Sequence, residues 1–173
     1  MKEIHEKAKK IKLIIFDVDG VLTAGILNYN FEGIITKNFH VHDGQGIKLL
    51  KQSGVEVGII TSCESNIINK RMQDLNINYV YQGQFKKTPA YEDLKLKLKL
   101  QDHEIAYMGD DIPDLPILKK VGLSITVANA PELIKNNVNM ITLKKGGKGA
   151  VREVCDLIMQ AQNTYDSIIE SYF

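Results

Sequence analysis

Residues 11–23, I-K-L-I-I-F-D-V-D-G-V-L-T, carry an apolar run from Leu13 to Phe16 that ends in two carboxylates, Asp17 and Asp19, with Gly20 directly behind them. A short run of this branching reads as a buried strand of a parallel sheet. The two acids then sit just past its C-terminal end, the edge where open α/β sheets bind ligands. Paired carboxylates repel each other and are costly to desolvate, so they need a cation or a proton between them. Taken alone, D-x-D-G is also an ordinary polar turn, since acids and glycine are common turn residues.

Outward from this stretch, strands alternate with helices. Ile26–Tyr29 and Ile34–Phe39 flank the turn-like Asn30-Phe31-Glu32-Gly33, which predicts a β-hairpin projecting from the sheet. Asp43 is expected to cap a helix that carries Ile47, Leu49 and Leu50 and closes at Gly54. Further strands are expected at Val55–Ile60, Tyr79–Tyr81, Ile105–Met108, Leu123–Val127 and Met140–Leu143. Between them, Ile67, Ile68, Met72 and Leu75 keep a helical period, and Thr88-Pro89 reads as an N-cap followed by proline at the first helical position. A helix from Glu3 to Lys10 precedes the first strand. Shorter helices are expected from Asp114 to Val121 and from near Pro131, and a final one through Val151, Val154, Cys155 and Ile158. Lys144–Gly149 reads as a flexible basic loop. The alternation predicts an α/β fold with a doubly wound, Rossmann-like parallel sheet, as a single domain over residues 1–173.

The 173 residues suffice for one domain with a full core. Lys and Arg number 22 against 21 Asp and Glu, which excludes nucleic-acid binding through bulk positive charge. No apolar stretch is long enough to span a bilayer. The first ten residues carry four lysines without an apolar core behind a cleavage site, so no secretory signal is expected. Cys63 and Cys155 lie far apart without metal-like spacing, and free thiols in a cytoplasmic chain are expected.

Three strands finish in polar residues able to share one site. The first delivers Asp17 and Asp19, the second Thr61 and Ser62, and the one from Ile105 to Met108 delivers Asp110 and Asp111; Lys87 follows the strand at Tyr79–Tyr81. Hard oxygen ligands with little nitrogen or sulfur suit Mg²⁺, which bridges carboxylates and phosphate. Thr61 and neighbouring amides can hold phosphate oxygens, and Lys87 adds a compact positive charge. Asp17 is the candidate nucleophile, attacking phosphorus to form an acyl phosphate. Asp19 can protonate the leaving oxygen and then deprotonate water. Each residue alone has a plain structural reading: a capping threonine, a surface lysine, or a turn before Pro113. Their order, each after a strand, favours a shared site.

D-V-D-G-V-L-T, the strand-ending Thr61, Lys87 and G-D-D-I-P-D resemble the haloacid dehalogenase superfamily of phosphotransferases. Phe39–Ile47, Tyr81–Gln84 and Gly146–Leu157 further resemble its 3-deoxy-D-manno-octulosonate 8-phosphate phosphatase family, over nearly the whole chain from Lys12 to about Gln162. The resemblance implies Mg²⁺-dependent hydrolysis of a sugar-acid phosphate, feeding lipopolysaccharide synthesis in a Gram-negative cytoplasm, and a homotetramer. It implies Mg²⁺ ligation by Asp17, Asp110 and the backbone carbonyl of Asp19. Substrate contacts are implied at Asp19, at His40, Val41, His42, Asp43 and Gly44, and at Lys48, Cys63, Arg71 and Lys87. The family often has arginine where this chain has His42, Lys48 and Cys63. Arginine clamps a carboxylate with two bonds; lysine and cysteine do not. Nine-carbon sialic-type 9-phosphates are therefore the alternative substrate.

Superfamily members often insert a cap domain. From Asp17 to Thr61 is 44 positions, filled by a hairpin and a helix, and from Thr61 to Lys87 is 26, filled by a helix and a strand. Neither gap holds a domain of roughly 50 residues. A fold without a cap is expected, its site open to water unless another subunit covers it. The apolar hairpin, with Ile26, Leu27, Tyr29, Ile34 and Ile35, is the expected subunit contact. A catalytically quiet binding domain and a phosphomutase remain competing classes. The first predicts decay of a catalytic position, and the second needs a lid.

Overall fold

Leu13–Phe16 lies at the centre of a six-stranded sheet in the structure, a computed structural model that describes residues 2–173 and, at positions 34 and 35, the backbone alone. In chain order the elements are α1 (Lys2–Ala8), β1 (Leu13–Phe16), β2 (Asn28–Asn30), β3 (Gly33–Thr36), α2 (Val41–Gln52), β4 (Glu56–Ile60), α3 (Asn66–Asp74), β5 (Tyr79–Tyr81), α4 (Thr88–Leu98), β6 (Ile105–Met108), α5 (Leu115–Leu118), β7 (Leu123–Thr126), α6 (Glu132–Lys135), β8 (Met140–Ile141), α7 (Ala150–Ala161) and α8 (Tyr165–Glu170). The sheet runs β5-β4-β1-β6-β7-β8, and every pairing is parallel. Chain order reverses at β1, the topological switch point of a doubly wound sheet. β1, β6 and β7 are buried at every residue, as strands covered on both faces must be. No cap is present among the described residues; β2 and β3 form a separate antiparallel pair.

Register decides what meets at the C-terminal edge. Phe16 pairs with Ile59 on one side and with Met108 on the other. The residues that follow, Asp17, Thr61 and Asp110, therefore leave the sheet at nearly the same level. The backbone stays tied there, with Asp17 N–H donating to the Met108 carbonyl at 3.0 Å.

Several local expectations are corrected. Asp43 does not cap its own helix; His40 occupies the N-cap of α2, without a side-chain bond. Asp43 is 1% exposed, and its carboxylate accepts from the amides of Arg152 (2.9 Å) and Gly149 (3.3 Å) at the start of α7. The first turn of any helix leaves amides without partners, and here a distant helix supplies the acceptor. Burial pushes the Asp43 carboxyl up, and those two amides oppose the shift. Thr88 lies inside α4 and Lys87 holds the N-cap position. The strand expected to reach Leu143 stops at Ile141, and α8 follows the helix expected to be final. Cys63 and Cys155 are both free thiols, as expected.

The loop at Lys144–Gly149 is held rather than flexible. Gly147 N–H donates to the Val21 carbonyl (2.9 Å), Gly146 N–H to Asn129 Oδ1 (3.0 Å), and the Leu143 and Lys144 amides to Glu153. A Cβ on Gly146 would land on the Gly20 carbonyl, so only glycine allows this loop to press against the turn that carries Asp19.

Candidate active site

Asp17 is 7% exposed at the end of β1, and its Oδ1 lies 2.8 Å from the Lys87 ammonium. Lys87, 3% exposed, also donates to Asp114 Oδ1 at 2.6 Å. Tyr107, buried on β6, donates its hydroxyl to that same oxygen at 2.6 Å. Asp114 Oδ2 accepts from the amides of Asp110 (3.0 Å) and Asp111 (3.2 Å). Asp111 in turn caps the short turn at Ile112–Asp114 by accepting from Ile112 N–H at 2.8 Å. Asp114 thus ties the strand-end acids to Lys87. It lies within G-D-D-I-P-D, but nothing in its spacing says that it turns inward.

Asp19 sits in the tight turn Val18–Leu22, closed by Thr23 N–H donating to the Val18 carbonyl at 3.0 Å. Gly20 in this turn has φ of 95°, and a Cβ there would collide with the Asp110 carboxylate. The Asp19 carboxylate accepts from Thr23 Oγ1 (3.3 Å) and, at both oxygens, from Lys37 (2.6 and 2.7 Å). Sequence reading missed Lys37, which follows the hairpin and carries no motif of its own. Thr61 is 1% exposed, and its Oγ1 accepts from Cys63 N–H at 3.3 Å.

Asp17, Asp19, Thr61, Ser62, Cys63, Lys87, Asp110 and Asp114 line one cavity of about 210 Å³, with Asp111 and Pro113 at its side. Pockets that enclose whole small ligands run to roughly 300–1,000 Å³. This one accommodates the reacting end of a substrate and leaves the remainder outside. The other expected substrate contacts do not reach it. Val41 is 78% exposed, His42 and Lys48 are exposed, and Asp43 and Gly44 are buried. Arg71 stacks over Phe39 at 5.5 Å and lines a separate cleft with Ile67 and Lys70. The His40 and His42 rings meet edge to face at 5.1 Å. His40 Nδ1 and Arg71 Nε are buried without hydrogen-bond partners.

The cavity's electrostatics call for a cation. Asp17, Asp110 and Asp114 bring carboxylate oxygens within 4.8 Å of one another. Asp114 spends both oxygens on Lys87, Tyr107 and two amides, whereas Asp110 Oδ1 is buried with no partner at all. An orphaned carboxylate oxygen facing a second carboxylate suits a hard divalent ion. Burial, then the charges of Asp17, Asp114 and Asp111, push the Asp110 carboxyl from 3.8 to about 7. Burial also lifts Asp17 to about 6; Lys87 opposes this and Asp114 adds to it. For Lys87, burial works downward, but Asp17 and Asp114 outweigh it and hold the ammonium above its usual value.

These shifts predict how stability responds to pH and metal. Folded Asp110 keeps a proton that the unfolded chain releases between about pH 4 and pH 7. The stability tied to that proton is fully present below the lower value and is lost as pH rises through the upper one. In chelator, the Tm of the native protein should fall between pH 5 and pH 8 by more than that of Asp110→Asn, and Mg²⁺ should restore it most at pH 8. Thermal scans in chelator at both pH values with parallel slopes for the two proteins would rule out a raised Asp110 carboxyl, and no difference in the Mg²⁺ effect would remove Asp110 from the metal site.

Residues 59–154 match the family model of haloacid dehalogenase-like hydrolases. The chain is 43% identical over 164 residues to the 3-deoxy-D-manno-octulosonate 8-phosphate phosphatase of Escherichia coli K12, covering 95% of this chain and 87% of that one. A solved structure of the phosphatase of that name from Moraxella catarrhalis, in complex with a magnesium ion, a phosphate ion and a KDO molecule, superposes with a TM-score of 0.96 at 45% identity, covering 100% of this chain and 99% of that one. The cobalt-bound form of the deoxy-D-mannose-octulosonate 8-phosphate phosphatase from Haemophilus influenzae gives 0.90 at 42% identity, over 92% and 93% of the two chains.

Proposed function

Since this chain belongs to the 3-deoxy-D-manno-octulosonate 8-phosphate phosphatase family of haloacid dehalogenase-like hydrolases, we propose that it hydrolyses 3-deoxy-D-manno-octulosonate 8-phosphate to the free sugar acid and phosphate. The observation that carries this reading is the buried Asp17 carboxylate, set against Lys87 in a cavity that Asp19 and Asp110 also line. Asp17, Asp110 and the backbone carbonyl of Asp19 would hold Mg²⁺. The ion would offset the repulsion between Asp17 and the phosphate dianion.

Asp17 Oδ attacks phosphorus, the bond from phosphorus to the ester oxygen breaks, and Asp19 gives that oxygen its proton. Asp19 then takes a proton from water as the water oxygen attacks phosphorus, releasing phosphate and free Asp17. Thr61 and Ser62, which line the cavity, would hold phosphate oxygens, and Lys87 would balance their charge. Phosphate release should be at least tenfold faster from the eight-carbon 8-phosphate than from a nine-carbon sialic-type 9-phosphate, and chelator should stop it. The reverse preference would move the assignment to the nine-carbon substrate.

The remainder of the sugar acid needs partners outside the cavity, and a homotetramer supplies them in this reading. His40 and Arg71, both expected substrate contacts, stand outside this subunit's own cavity, which suits a role at a neighbouring subunit's site. The hairpin exposes Ile26 (70%), Tyr29 (64%) and Phe31, an apolar surface of the kind that marks an interface. The side chains of Ile34 and Ile35, also expected there, lie outside the described residues. Ile26→Asp with Tyr29→Asp should dissociate the assembly and cut activity on the sugar-acid phosphate more than on a small phosphate ester. Sedimentation showing a fully active native monomer would refute this assembly. No helix among the described residues is long and apolar enough to cross a membrane. The reading places the reaction in the cytoplasm, with its product entering lipopolysaccharide synthesis and with no nucleic-acid or membrane partner.

A further inference from the structure

Lys37 directly follows β3, and its side chain is 1% exposed. An ammonium taken so far out of water requires a compensating charge. It finds Asp19, whose two oxygens lie 2.6 and 2.7 Å from Nζ, while the Asp19 side chain keeps 29% exposure toward the cavity. Lys37 itself does not line that cavity.

The backbone of Asp19 is already fixed. Its turn is closed by the Thr23 amide, and the loop at Gly146–Gly147 presses on it through the bond from Gly147 N–H to the Val21 carbonyl. What remains free is the side chain's own rotation. Thr23 Oγ1 reaches one oxygen at only 3.3 Å, so the two short bonds from Lys37 decide where the carboxyl points.

We infer that Lys37 is the positioning residue for the proton-transferring carboxyl of Asp19, and that through it the hairpin's seating sets the aim of this group. The inference rests on the acid/base role proposed for Asp19. A compact ammonium suits the task. When Asp19 carries the proton, one oxygen presents O–H to the leaving group and the other still accepts from Lys37. When water has been deprotonated, the same oxygens are held for the next cycle. Proton transfer by a side chain is worth roughly 10²–10⁴-fold and depends on hydrogen-bond reach, so a carboxyl that swings loses much of it.

The test compares two esters on one preparation. Loss of an alkoxide from the sugar-acid phosphate needs a proton from Asp19; loss of p-nitrophenolate does not. Lys37→Met should lower kcat/KM on the sugar-acid phosphate by roughly 10²-fold, within the range for proton transfer. Its loss on p-nitrophenyl phosphate should be at least ten times smaller, and Lys37→Arg should recover part of the difference. The ratio of the two substrates is independent of the folded fraction, and Lys37→Gln, of similar reach, carries the same comparison if Lys37→Met does not fold. Equal losses on both esters, or none on the sugar-acid phosphate, would overturn the inference. Asp19→Asn separates the two failures. If it shows the selective loss and Lys37→Met does not, Lys37 alone is misassigned; if Asp19→Asn shows none, the acid/base role of Asp19 falls first.

Discussion

Asp17→Asn is expected to abolish phosphate release while leaving the protein folded. The amide has nearly the shape of the carboxylate, and the backbone at this position is tied to β6 through the Met108 carbonyl, so the strand end keeps its place. What disappears is the nucleophilic oxygen and one charge of the metal site. An amide is a poor nucleophile toward phosphorus, and the one neighbouring carboxylate oxygen without a partner, Asp110 Oδ1, is the oxygen the metal would take. Asp114 is committed to Lys87, Tyr107 and two amides, and Asp19 to Lys37 and Thr23. Lys87 loses one of its two acid partners but keeps Asp114 at 2.6 Å, so the change in Tm should be small. Release of phosphate from the sugar-acid phosphate within tenfold of the native rate would exclude Asp17 as nucleophile.

Lys87→Met should damage both stability and turnover. Lys87 is buried between Asp17 and Asp114, and removing it leaves two buried acids facing each other with no cation. Breaking a buried pair from one side costs about 3–5 kcal/mol. At about 2–4 °C per kcal/mol for a chain of this size, Tm should drop on the order of 10 °C. Lys87 also works to lower the Asp17 carboxyl, so its loss pushes that group further up. The deficit should shrink below about pH 6, where Asp17 can take a proton instead, and should shrink again on adding Mg²⁺. Turnover should fall with it, since the charge beside the nucleophile and the incoming phosphate is gone. A Lys87→Met protein as stable as the native one at pH 8 in chelator would mean that the pair contributes nothing net.

The chain pattern determined the sheet, and which acids gather at its C-terminal edge, by itself. Leu13–Phe16 and Ile105–Met108 are apolar, short and terminated by acids, and burial on both faces leaves such segments no alternative to central parallel strands. Because parallel strands share a direction, the ends of β1, β4 and β6 must lie together, and Asp17, Thr61 and Asp110 follow from that alone. That the described residues hold no cap was also legible, since it needed only residue counting.

Partnerships across the fold were decided by tertiary structure. Lys37 reaches Asp19 across 18 positions, Lys87 reaches Asp114 across 27, and Asp43 caps a helix 106 positions away. Periodicity reports which face of an element is apolar. It does not report which charged side chain will be excluded from water beside another, because that depends on how loops stack after the sheet has formed. By local habit alone, Asp43 in a first turn reads as a cap and glycines in a basic loop read as a flexible segment. Packing gave them other work, because α7 needed an acceptor for its first amides and only glycine could pass beneath the turn that carries Asp19.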